Sequence, residues 1–151
     1  MTELRLTSPA FDNGEPIPDR YGYTAANVNP PLSISGVPDG TASLLLLVDD
    51  PDAVEPAGHI WDHWLVWDIS PGREEIPEEW SPETAMEGQN DYGEQGYGGP
   101  NPPDGEHTYR VRLYALDAEL GLSPAATRDD VADAVTGHIL AKDTLEGTYA
   151  P

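Results

Sequence analysis

The chain has 151 residues, enough for one domain with a real core and too few for two comfortable ones. With 28 Asp and Glu against 7 Lys and Arg, the formal net charge is −21, which leaves no basic footprint for nucleic acid. There is no cysteine, so disulfides, thiolate metal sites and a cysteine nucleophile are excluded.

Hydrophobic residues still make up 38% of the chain, in apolar runs between turn signals, which places the acidity on a folded surface rather than in a disordered chain. Repulsion across such a surface strains the compact state in dilute buffer. Salt at about 1 M shortens the Debye length to roughly 3 Å and relieves it, so a halophile's cytoplasm is the expected setting. The segment from Met1 to Pro9 carries neither the basic nor the apolar stretch of a signal peptide. No apolar run approaches the ~20 residues of a membrane span, and a cytoplasmic protein that does not span a membrane is expected.

The 16 Pro and 15 Gly are spread as punctuation between short apolar segments, which predicts a single all-β domain over residues 1–151. Strands are predicted at 4–6, 32–34, 43–49, 61–69 and 109–116. In the fourth, strict alternation puts Trp61, His63, Leu65, Trp67 and Ile69 on one face. In the last, Tyr109, Val111, Leu113 and Ala115 alternate with Arg110, Arg112 and Tyr114, as in a half-buried antiparallel strand. Residues 71–105 hold six Pro and seven Gly without periodicity, a length that signals a functional loop or a missed element. Ser123-Pro124 reads as one helix start. Thr127 caps a second segment with Val131, Ala134, Val135, His138 and Ile139 on one stripe. The expected architecture is an antiparallel β-sandwich with one or two short C-terminal helices.

Two segments carry candidate chemistry. The first, Asp49 to Trp64, packs five carboxylates, two histidines and two tryptophans together. An acidic turn in so acidic a chain is ordinarily solvated surface, and a histidine in phase with Trp61 on an apolar face is ordinarily a satisfied core residue. His59 and His63 stand four apart, but that spacing converges metal ligands only on a helix, and this segment reads as strand. No metal and no cofactor are expected. The second segment runs from Gly96 to Tyr109. Its glycines allow backbone N–H groups to approach a ligand, and its prolines fix the flanking chain, although a plain turn-rich loop has the same composition. It delivers His107 and Tyr109 to one face of a strand. A ligand site requires that this face meet the one bearing His63. His63 and His107 could then donate to phosphate oxygens, with Asp50 and Asp52 raising both imidazole pKa values. The same carboxylates repel a bare dianion and accept from an amine, so the site suits a zwitterion better.

These segments resemble the phosphatidylethanolamine-binding protein family, in particular its prokaryotic Raf-kinase-inhibitor-like branch. The resemblance rests on Asp50-Pro51-Asp52-Ala53-Val54 with His63-Trp64, and on Gly99-Pro100-Asn101-Pro102-Pro103-Asp104-Gly105-Glu106-His107-Thr108-Tyr109. Weaker echoes at 6–11, 29–32, 114–117, 137–141 and 147–149 extend it over nearly the whole chain. It implies a small pocket for phosphate or a phosphorylethanolamine head group, with Asp50, Asp52, His63, Gly99, Pro100, His107 and Tyr109 at pocket positions and Trp61 and Tyr149 as further lining. It also implies a regulator or inhibitor of kinases or proteases, with pairing as a homodimer. Three positions depart from the pattern. Val54 replaces a usual Pro, Thr108 replaces an Arg between His and Tyr and so removes a cation near the mouth, and Ile34 replaces a Trp. The rival reading is a small-molecule hydrolase in which His63 or His107 is a general base oriented by Asp50 or Asp52. No G-x-S-x-G elbow or HExxH motif supports it.

Overall fold

The computed structural model describes residues 3–54 and 58–151, so Glu55 of the acidic segment lies outside the described residues. Eight strands form two antiparallel sheets. β1 (Arg5–Thr7), β2 (Leu32–Ser35) and β5 (Glu75–Ile76) make a small sheet in the order β1-β2-β5. β3 (Ser43–Asp50), β4 (Trp61–Ile69), β6 (Met86–Glu87), β7 (His107–Leu116) and β8 (Ile139–Tyr149) make a larger one in the order β6-β4-β3-β7-β8.

The unbroken apolar run of β3 follows from its place. It is central in the larger sheet and both of its faces are covered, so the alternation of polar and apolar residues seen in a half-buried strand is absent. Leu44, Leu46 and Val48 join Trp64, Tyr109, Val111 and the small sheet's Leu6, Leu32 and Ile34 in the main core between the sheets. Leu45 and Leu47 face the other way, with Leu65, Trp67 and Leu116, and are covered by the only α-helix among the described residues, α1 (Arg128–Val135). Thr127 caps α1 through a reciprocal capping box with Asp130, and Val131 and Val135 are its buried residues.

The β-sandwich matches the expected class, with corrections in detail. Ser123-Pro124 opens no helix; Ser123 instead accepts from the Ala126 N–H at 3.0 Å in a turn. The helical stripe stops at Val135, and Ile139 begins β8, which no periodicity announced. The irregular stretch 71–105 supplies β5 and β6. β4 does not keep one alternation throughout: its register against β3 slips twice, with one extra residue at His63 and another near Asp68. Asp68 sits at φ +57° while its carboxylate accepts the Leu120 and Gly121 N–H groups at 2.6 and 3.0 Å. As a result Trp64, Val66 and Ile69 enter the main core, whereas Leu65 and Trp67 face α1.

Candidate functional site

β3 ends in two adjacent aspartates that alternation sends to opposite faces. Asp49, 1% exposed, points to the α1 side, where it accepts four hydrogen bonds from three arginines: Arg110 at 2.8 and 3.0 Å, Arg112 at 2.8 Å and Arg128 at 3.0 Å. Burial alone would raise its pKa, but the three guanidiniums outweigh this and hold the carboxyl below its usual range. Asp50, 3% exposed, points to the sandwich side, where a 3-10 turn (Pro51–Ala53) begins. Its Oδ1 accepts the Asp52 N–H at 2.9 Å and its Oδ2 accepts from His107 Nδ1 at 2.6 Å.

Beside Asp50 lies a cavity of about 240 Å³, walled by Asp50, Trp61, His63, Tyr92, His107 and Tyr109 and closed by Ala53 and residues 101–103. β4 contributes Trp61 and His63, the bulge turning the His63 ring inward, and β7 contributes His107 and Tyr109. The His63 ring meets that of Tyr109 edge-on at 5.2 Å and that of Tyr92 at 5.8 Å, and the His107 and Tyr109 rings are 6.3 Å apart. Of the sequence-predicted residues, the structure thus brings together Asp50, Trp61, His63, His107 and Tyr109. Among the described residues, neither Lys nor Arg lines this cavity.

The remaining candidates lie behind the walls. Asp52 is exposed and accepts the Thr108 N–H at 2.8 Å, tying the turn to β7. Gly99 packs so tightly that an added Cβ would fall 2.1 Å from the Tyr21 carbonyl, and its N–H donates to Asn27 at 2.7 Å. Pro100 borders a void of about 20 Å³ beneath His63 and Tyr109. The Tyr149 hydroxyl donates to the Asp19 carbonyl at 2.9 Å, away from the cavity. His59, exposed, stacks on Trp61 at 5.5 Å. Two contributors escaped sequence reasoning. Tyr92 comes from the aperiodic stretch, stacks on Tyr23 at 3.9 Å and donates to the Gly99 carbonyl at 2.8 Å. Asp104 lay unremarked inside the proline-glycine motif, yet its carboxylate takes the second His107 nitrogen at 2.6 Å.

The two histidines are in opposite electrostatic states. Burial opposes charge on His107, but hydrogen bonds to Asp50 and Asp104 outweigh it and raise its pKa. With a carboxylate on each nitrogen, the ring is a doubly donating imidazolium. For His63 burial dominates and lowers the pKa, against the sequence expectation that nearby acids would raise both. Its Nδ1–H donates to the Gly98 carbonyl at 2.7 Å, which leaves Nε2 of the neutral ring as an acceptor. Burial likewise raises the Tyr109 and Tyr92 phenols, so both keep their protons. The Trp61 indole N–H is a buried donor without a partner among the described residues, and the Tyr109 hydroxyl lies close enough to Asp50 for that carboxylate to add to the rise in its pKa.

The phosphatidylethanolamine-binding protein profile matches residues 7–150. The chain belongs to this family. It is 42% identical to a UPF0098 protein of Methanothermobacter thermautotrophicus across 97% of the chain and 98% of that protein. A UPF0098 protein of Pyrococcus abyssi is also 42% identical, across 97% of the chain and 85% of its own length. Among solved structures, a phosphatidylethanolamine-binding protein homologue of Chlamydia trachomatis superposes with a TM-score of 0.91 at 40% identity, over 99% of this chain and 98% of that one. Escherichia coli YbcL, described as a member of the mammalian family, superposes at 0.90 with 29% identity, over 97% and 98%. These two solved structures thus share the overall frame of this chain. No helix among the described residues is long and apolar enough to cross a membrane.

Proposed function

We propose that the cavity binds a phosphorylated head group carrying an amine, and that the protein works as a binding or regulatory module. The observation that carries this reading is His107, held between two carboxylates on the wall of a cavity that Trp61, Tyr92 and Tyr109 line with aromatic rings. The amine finds Asp50 and the faces of Trp61 and Tyr92, an arrangement suited to an ammonium. With no Arg or Lys on the walls, a bare dianion has only His107 to offset Asp50, which supports a zwitterion over inorganic phosphate. Regulation of a kinase or protease, in the manner of the Raf-kinase-inhibitor-like branch, belongs to the same proposal and rests on the resemblance.

The hydrolase reading is the weaker one. Both nitrogens of His107 are held by carboxylates, and His63, whose Nε2 is free, is oriented by the Gly98 carbonyl and not by Asp50 or Asp52 as that reading requires.

The test is a titration of O-phosphorylethanolamine and of inorganic phosphate into the protein in concentrated potassium chloride, following the histidine ring signals by NMR. The expected result is saturable movement of the His63 and His107 signals, tighter for the zwitterion, weakened in Tyr109→Phe and abolished in His107→Ala. Cosedimentation with vesicles containing phosphatidylethanolamine separates a lipid source from a soluble one. An absence of movement with either soluble probe up to millimolar concentration, together with no vesicle binding, would overturn the reading.

A further inference from the structure

A phosphoryl oxygen can reach an N–H of His107 only where a carboxylate now sits. The two carboxylates there are not equivalent. Asp50 is 3% exposed and is held additionally by the Asp52 N–H at 2.9 Å, so it belongs to the frame of the cavity. Asp104 has its side chain 53% exposed and has, among the described residues, only the 2.6 Å contact to His107 Nε2. It lies on the mouth loop directly after Pro102 and Pro103, which line the cavity.

We propose that Asp104 is a specificity-determining residue of this cavity, an internal carboxylate that a phosphoryl group must displace from His107 in order to bind. The inference rests on the reading of the cavity as a phosphoryl site. Displacement is feasible because an ion pair with one partner half in solvent is weak, and the released carboxylate regains its hydration. The consequence is selective. Inorganic phosphate must displace Asp104 and then bear repulsion from it nearby. A phosphorylated amine displaces the same group but offers an ammonium with which the displaced carboxylate can pair. Asp104 thereby penalises simple anions more than zwitterions, discriminating by repulsion as well as by attraction.

The experiment compares wild type with Asp104→Asn, Asp104→Glu and Glu106→Gln in titrations of inorganic phosphate and O-phosphorylethanolamine. Glu106 is exposed on the same loop, and its variant removes the same charge elsewhere. Asp104→Asn is expected to bind inorganic phosphate roughly three- to tenfold more tightly, as loss of a half-exposed ion pair and its repulsion allows. The gain for O-phosphorylethanolamine should be smaller, and Asp104→Glu should stay near wild type. Equal tightening in Glu106→Gln would show a general charge effect and overturn the assignment. So would unchanged or weakened phosphate binding in Asp104→Asn while the wild type binds measurably. If no variant binds either probe, the phosphoryl reading of the cavity itself fails, and this inference with it.

Discussion

The cluster around Asp49 can be tested most directly by Asp49→Asn, which preserves shape and removes the charge. In the wild type one buried carboxylate accepts four charge-assisted hydrogen bonds from Arg110, Arg112 and Arg128. In the variant the three guanidiniums keep only the Asp62 carboxylate, which Arg128 reaches at 2.5 Å. Removing one partner from a buried ion pair costs about 3–5 kcal/mol, because the charges left behind lack compensation. The arginine side chains are 20–31% exposed, so water recovers part of this, and the lower end, about 3 kcal/mol, is expected. For a chain of this size that is a fall of roughly 6–12 °C in melting temperature. Urea denaturation at constant, high potassium chloride concentration measures it, with an unchanged slope showing that the folded state is intact. Single Arg→Gln substitutions should cost less than Asp49→Asn, since two arginines then remain on the carboxylate. A cost below about 1 kcal/mol for Asp49→Asn would refute the reasoning, because the arginines would then be as well solvated alone as when paired.

The two cavity histidines should titrate on opposite sides of the ordinary imidazole value, His107 above and His63 below, in NMR titrations of the ring signals. Because His107 is raised, its stabilising contribution is fully present below about pH 6.5 and is lost as pH rises through its folded value. His63 is depressed, so its neutral form is stabilising above about pH 6.5 and stability falls as pH drops toward its folded value. His107→Gln should therefore flatten the alkaline limb of the stability profile and His63→Gln the acidic limb; an unchanged alkaline limb in His107→Gln would contradict the assignment. Gly99→Ala forces a Cβ to within 2.1 Å of the Tyr21 carbonyl, a backbone clash that should cost about 1–3 kcal/mol in urea denaturation. Gly105→Ala, with nothing within 4 Å of its Cβ, is the neutral comparison.

The central strands were legible because burial writes itself into their composition. β3 is apolar on both faces and β7 alternates cleanly, so either pattern could be read without a partner. β8 was not legible. It is an edge strand whose buried residues are only Leu145 and Gly147, so its run through Lys142, Asp143 and Glu146 resembles surface loop. The exposed His138 and Ile139 extended the helical stripe falsely beyond Val135. The bulges at His63 and Asp68 are tertiary: the Asp68 carboxylate finds amides at 120 and 121, far away in sequence, and no local period encodes that. Asp50, Trp61, His63, His107 and Tyr109 were legible as a set because strand ends deliver them in motifs. Tyr92 was not, since an aperiodic loop carries it across the sheet.

In the proposed site, the adjacency of Asp49 and Asp50 links stability to selectivity. Three of the six arginines converge on Asp49 at the α1 side, while the cavity on the other face has only His107 as a cation. On the proposed reading, anion binding there depends on the charge of one imidazolium and on which carboxylates contend for it. An ordinary phosphate site, rich in exposed Lys and Arg, loses affinity as salt screens its long-range attraction. Here the long-range field of a chain at −21 is repulsive to anions, and it is this term that salt removes. His107 and Tyr109 are themselves buried, so contacts that a ligand made to them would be little screened. In the proposed site, selectivity and tolerance of salt would then have one origin: the cations serve the scaffold on one face, and a ligand on the other would rely on buried hydrogen bonds.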